Sequence, residues 1–90
     1  MIRVVLPTQV DSYTRGEREQ EFAAGGLCTL ADLMWQLEQR FPGIRFRLVD
    51  EQGAIRRHIA MFVGESMVHT LDAVISDNDR VQIVGALSGG

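Results

Sequence analysis

The residues best placed to do chemistry in this sequence lie at its end, Arg80-Val81-Gln82-Ile83-Val84-Gly85-Ala86-Leu87-Ser88-Gly89-Gly90. A run rich in β-branched residues gives way to small ones and stops at Gly89-Gly90. Without Cβ atoms, such a pair can thread a channel too narrow for side chains, with Leu87 and Ser88 leading into it. A free α-carboxylate titrates near ~3.5, so that of Gly90 is an anion at neutral pH. It can attack the α-phosphate of ATP, and the acyl-adenylate so formed can be taken by a sulfur or an amine nucleophile. A frayed terminus of small residues carries the same letters, so the rest of the chain has to decide between the two.

Other reactive side chains offer less. Cys28 sits beside a helix start, where the dipole can lower a thiol pKa, but the expectation is a buried small side chain. His58 and His69 have no second His or Cys at ligand spacing, and no metal site is expected. Arg45, Arg47, Arg56 and Arg57 can steer an acidic partner, although a solvated face paired with Asp50, Glu51 or Glu65 is the more ordinary expectation. No Ser/His/Asp arrangement, phosphate-binding glycine loop or spaced carboxylate pair stands out. The chain is expected to be no enzyme by itself.

Ninety residues, 46% of them hydrophobic and 23% charged, make one small domain. A domain of this size buries a little over ~60% of the surface its unfolded chain exposes, which favours a functional site on the surface. No apolar run approaches the ~18 residues that span a bilayer and no signal peptide opens the chain, so it reads as cytoplasmic, without a membrane partner. A single cysteine agrees with a reducing compartment, and a net charge of −3 argues against nucleic-acid binding. All nine basic residues are arginine, so no ε-amine is present to attack an activated C-terminus.

The elements that must carry the tail follow from periodicity. Ile2 to Leu6, ending at Pro7, reads as a first strand with Ile2, Val4 and Leu6 on one face. Thr8 to Gly16 suits a loop or turn, and Glu17 to Ala23 a second, largely exposed strand returning antiparallel to the first. Thr29 caps a helix in which Leu30, Leu33, Met34, Leu37 and Phe41 form one stripe, stopped by Pro42-Gly43. Trp35 falls opposite that stripe. Ile44, Phe46 and Leu48 alternate with Arg45 and Arg47 and predict a third strand. Asp50 to Gly53 is a turn, and a further strand from about Arg57 to Val63 carries Ile59, Met61 and Val63 on one face. A short strand at Met67-Val68-His69 follows. Leu71, Val74 and Ile75 cross to a tight turn at Asp77-Asn78-Asp79, where Asn tolerates the left-handed conformation. The last strand, Arg80 to Val84, launches the tail.

Two strands, a helix and further strands ending in Gly-Gly follow the order of the β-grasp, or ubiquitin-like, fold. The sequence resembles the bacterial sulfur-carrier branch of that fold, the ThiS and MoaD type, through Ile2-Arg3-Val4-Val5-Leu6-Pro7, Phe41-Pro42-Gly43, Ile59-Ala60-Met61-Phe62-Val63-Gly64-Glu65 and Asp77-Asn78-Asp79 before Val81-Gln82-Ile83. It departs where Gly64 and Asn78 replace the family's usual Asn and Gly, and where Val84-Gly85-Ala86 lacks a proline. The resemblance implies an α+β protein with a mixed sheet of four to five strands on one main helix. It also implies a single domain over 1–90 with a flexible tail from about 85.

By the same resemblance, an adenylyltransferase of the ubiquitin-activating type adenylates Gly90, using ATP, and a sulfur donor converts it to a thiocarboxylate. The chain itself is expected to bind no cofactor and to be a monomer when free. Its length, the loop after Leu48 and Arg56-Arg57-His58 look more like the cysteine-synthesis carrier, with a cysteine synthase-like acceptor, than the shorter thiamine one. The runner-up is the small subunit of molybdopterin synthase, which serves that enzyme's large subunit. A modifier conjugated to lysines through Gly90, and an interaction module with an inert tail, are the other readings. Strand alternation puts Phe62 and Val84 on the outer face, where they and Leu87 are expected to form an apolar docking patch.

Overall fold

Strand β1 (Ile2–Val5) points Ile2 and Val4 into the core and Arg3 to solvent, as its alternation predicts. The structure, a computed structural model, describes residues 1–85. Strand β2 (Glu19–Phe22) pairs antiparallel with β1, in register Ile2↔Phe22, and lies at the edge of the sheet. Its largely polar run suits that place, because charge on an edge strand discourages further pairing.

Between them the expected loop or turn takes helical geometry. Thr8–Val10 form a 3₁₀ turn and Asp11–Thr14 a single helical turn, α1. Burial of Val10 and Thr14 holds both turns against the core. Arg15 and Gly16 then end the turn at φ 58° and 81°.

Helix α2 (Leu30–Arg40) crosses the sheet with Leu30, Leu33, Met34 and Leu37 fully buried. Each contributes ~1.5–3 kcal/mol of transfer free energy. Its start is a complete capping box. Thr29 Oγ1 accepts from the Asp32 amide at 3.4 Å, and Asp32 Oδ2 accepts from the Cys28 and Thr29 amides at 2.9 and 3.0 Å. The crossing segment completes the seam, since the Leu30 and Ala31 amides donate to the Ala73 and Leu71 carbonyls. In that segment Leu71 and Ile75 are buried, whereas Val74 is 73% exposed.

Ile44–Leu48 is a helix, α3, and not the predicted strand. The five residues Ile-Arg-Phe-Arg-Leu place Ile44 and Leu48 one above the other at i, i+4, and both are fully buried while Phe46 is 55% exposed. A strand would put all three on one face. Gly43 at φ 97° reverses the chain straight after α2, and a Cβ there would stand 3.0 Å from the Tyr13 ring. The Glu38 carboxylate then accepts from the Gly43 and Arg45 amides at 2.8 and 3.0 Å, satisfying donors that a helix start leaves open. Arg56 lies over the outward Phe46 ring, 4.5 Å from its centroid.

Strand β3 (Ile59–Val63), strand β4 (Ser66–Val68) and strand β5 (Arg80–Gly85) complete a mixed sheet in the order β2-β1-β5-β3-β4, packed on one main helix as a β-grasp requires. Asn78 takes the left-handed conformation, φ 71°, in the turn before β5.

Replacement of Thr29 by Ala removes one cap bond and is expected to lower stability by ~1 kcal/mol, a fall of about 4–8 °C in Tm for a domain of this size. Backbone N–H bonds from Cys28 and then Thr29 hold the Asp32 carboxyl below its ordinary value of 3.8. Its contribution is therefore present above that value and lost as pH falls through the lower folded one. Asp32→Asn should flatten the acid side of the stability curve and leave its shape above pH ~5 unchanged, which thermal melts from pH ~2 to ~7 would measure.

Candidate functional site

The candidate site is built around the root of the tail. Strand β5 lies in the middle of the sheet, parallel to β1 (Val4↔Val81) and antiparallel to β3 (Met61↔Ile83). Val81 and Ile83 therefore enter the core, and Gln82 and Val84 face outward. The strand ends with Gly85 opposite Ile59. Gly90, Gly89, Ser88 and Leu87, the predicted reacting and threading residues, lie outside the described residues, as does the flexibility expected of them.

Phe62 and Val84 do share the outer face. Phe62 stands opposite Gln82 and Val84 opposite Ala60, so the two are diagonal neighbours across β3 and β5. Val84 is 39% exposed and Phe62 half-buried. Two residues that sequence reasoning did not assign to this patch join it: Met67, opposite Phe62 and half exposed, and Val5, opposite Gln82. Their alternation was readable, but which strands lie side by side was not.

Gly85 is held by a contact with no sequence signal. A Cβ built there would lie 2.3 Å from the carboxamide of Gln9, so the Gln9 side chain covers the bare backbone where the tail begins. Only glycine leaves room for that approach. Gln9 itself belongs to the segment expected to be a loop or turn.

The remaining candidates stay apart from this site. Cys28 is exposed, not buried, because its backbone serves the α2 cap and the crossing segment while its side chain faces out. Trp35 is 53% exposed with the Arg45 guanidinium 4.0 Å above its ring. Among the described residues no group of His, Cys, Asp or Glu is arranged to hold a metal ion, and no helix is long and apolar enough to cross a membrane. Of the pairing expected of the arginine face, Asp50 feels the charge of Arg56 but no contact ion pair forms there: the two among the described residues are Met1 amine with Asp77 and Arg18 with Asp11.

The family model described as the ThiS family matches residues 4–90. The chain belongs to the ThiS family. Similar solved structures agree with this assignment. The CysO chain of the Amycolatopsis orientalis BexX/CysO complex is 30% identical, with a TM-score of 0.87 and full coverage of both chains. Mycobacterium tuberculosis CysO is 27% identical over 97% of this chain and all of that one, with a TM-score of 0.84. SAMP1 from Haloferax volcanii, at 19% identity, 99% and 98% coverage and a TM-score of 0.81, has the same fold. No curated protein sequence matches the chain. As a ThiS-family β-grasp protein, it has the architecture of the ubiquitin-like sulfur carriers.

Gly85→Ala should displace the Gln9 carboxamide but cost no more than ~1 kcal/mol, because the far end of a flexible side chain can yield. The expected readout is a shift of the Gln9 side-chain amide signals and of Ile59 in nitrogen-correlated NMR spectra. Adding Gln9→Ala should return the Ile59 signal towards its original position.

Proposed function

We propose that this protein is a sulfur carrier acting through the α-carboxylate of Gly90. A carboxylate oxygen attacks the α-phosphorus of ATP in an adenylyltransferase of the ubiquitin-activating type, and pyrophosphate leaves. A sulfide equivalent then adds at the acyl carbon and expels AMP, so one carboxylate oxygen is replaced by sulfur. The thiocarboxylate passes its sulfur to an acceptor in a biosynthetic enzyme. Gly89 and Ser88 thread the catalytic channels, and Leu87 is taken up by the partner's apolar surface. The carrier supplies no acid, base or metal to either step and is a protein co-substrate.

The observation that supports this most directly is the position of β5. Flanked by β1 over Arg80 to Gln82 and paired with β3 as far as Gly85, it delivers the chain to the end of the β3 ladder, beside an outer face carrying Phe62, Val84, Met67 and Val5. Five residues ending in Gly-Gly follow that point in the sequence. An apolar face next to a threading tail suits a partner that grips the domain and draws the terminus into its active site. The likeness to two CysO chains at 30% and 27% identity favours a donor role in making cysteine or a related sulfur metabolite.

Intact mass spectrometry of the protein made together with its native neighbouring genes should reveal a gain of roughly 16 Da confined to the C-terminal peptide and abolished by deleting Gly90. An unmodified mass in the presence of a competent adenylyltransferase and sulfur source would remove the carrier reading. With the chemistry established, Phe62→Asp combined with Val84→Asp should slow thiocarboxylate formation at least ~10-fold, a loss of ~1.4 kcal/mol of productive binding, with the circular dichroism spectrum unchanged.

A further inference from the structure

On the helix side of the same sheet end, a cleft of about 530 Å³ opens between the 3₁₀ turn, α3 and the start of β3. Val10, Leu48 and Ile59 form its apolar floor, and Arg47, Arg56 and His58 stand around it with the exposed Phe46 ring. None of its lining residues is acidic. We propose that this cleft is a second docking site, which takes an acidic peptide segment of the protein that acts on the tail. The proposal rests on the carrier reading for what that partner does, and on the cleft's own chemistry for what it recognises.

Charge and preorganisation favour an acidic occupant. The protein as a whole carries −3, so a concentration of cationic groups against that background marks a local preference for anions. Arg56 is already fixed: its Nε donates to the Phe46 carbonyl at 2.7 Å and its guanidinium lies on the Phe46 ring. A guanidinium held in this way loses little freedom when it receives a carboxylate, which its planar fork matches with two parallel bonds. Neither Arg47 nor Arg56 is in an ion pair among the described residues. The acid that senses Arg56, Asp50, already accepts at Oδ1 from the Gln52 and Ala54 amides.

Position gives the cleft its meaning. Gln9 forms part of its wall, and the same side chain covers Gly85. Ile59 in its floor is the register partner of Gly85. A segment seated here therefore lies one side chain from the tail root, on the face of the sheet opposite Phe62 and Val84. A partner engaging both faces holds the end of β5 as in a clamp and fixes the direction in which the chain continues.

The test uses the isotope-labelled full chain titrated with a hexaglutamate peptide, with hexalysine as control. Amide shifts should cluster at Gln9, Arg47, Arg56 and His58 and should fade as salt rises from ~50 to ~500 mM, since exposed charge pairing is screened. The exposed double variant Arg47→Glu/His58→Glu should weaken the hexaglutamate effect at least ~10-fold, while Arg3→Glu, on a different surface, leaves it unchanged. Shifts scattered over the whole surface, or a double variant indistinguishable from the parent, would overturn the proposal. The titration needs no reaction at Gly90. A localised response without any thiocarboxylate mass gain would therefore retain the cleft and remove the carrier reading, and a mass gain with a scattered response would do the reverse.

Discussion

The structure depends on one strand being hydrogen-bonded on both sides. Strand β5 pairs parallel with β1 over Arg80 to Gln82 and antiparallel with β3 over Val81 to Gly85, so its path cannot slip without breaking two ladders. Alternation then divides its side chains without ambiguity. Val81 and Ile83 fill the core beneath α2, and Gln82 and Val84 face out. Because side chains repeat every two residues, a slip of one position would exchange those faces and destroy both the core and the outer patch. The exit at Gly85 is thus set by the β3 ladder, where Gly85 stands opposite Ile59.

Around that exit the two faces differ in chemistry. The outer face of the sheet offers aliphatic and aromatic surface, whereas the helix side carries guanidinium groups laid on rings. Among the described residues four such contacts occur: Arg40 on Phe22, Arg45 on Trp35, Arg47 near Tyr13 and Arg56 on Phe46. Energetically significant pairs of this kind arise about once per 70–80 residues, so arginine is used here largely to stack. A stacked guanidinium keeps its charge and much of its hydrogen-bonding capacity while losing mobility. This explains how a protein of net charge −3 presents positive charge near Gly85 with no contact ion pair on Arg47 or Arg56 among the described residues.

Much of this architecture was legible in the letters. The α2 stripe, the Thr29 cap, the turn at Asn78 and the strands β1, β3 and β5 follow from periods of 3.6 and 2 and from local hydrogen-bonding chemistry, which act over a few residues. Even the weakly alternating Glu17 to Ala23 run forms a strand, over Glu19–Phe22. Ile44–Leu48 misled because a five-residue run of alternating apolar and basic residues fits either period. Its helix is imposed by Gly43 and by the Glu38 carboxylate arriving from the preceding helix. The turn expected over Thr8 to Gly16 was legible, but its helical form was not, since burial of Val10 and Thr14 is decided by what lies beneath them.

The sequence by itself determined which residues alternate, where α2 begins and ends, the diglycine at the terminus and the all-arginine composition, because each is a property of neighbouring letters. The tertiary structure alone decided that Met67 and Val5 join Phe62 and Val84, that Gln9 covers Gly85, and that Arg47, Arg56 and His58 gather around one cleft. Those juxtapositions arise from strand order and register, which bring together residues nearly eighty positions apart, such as Val5 and Val84, and no local pattern encodes a distance across the sheet.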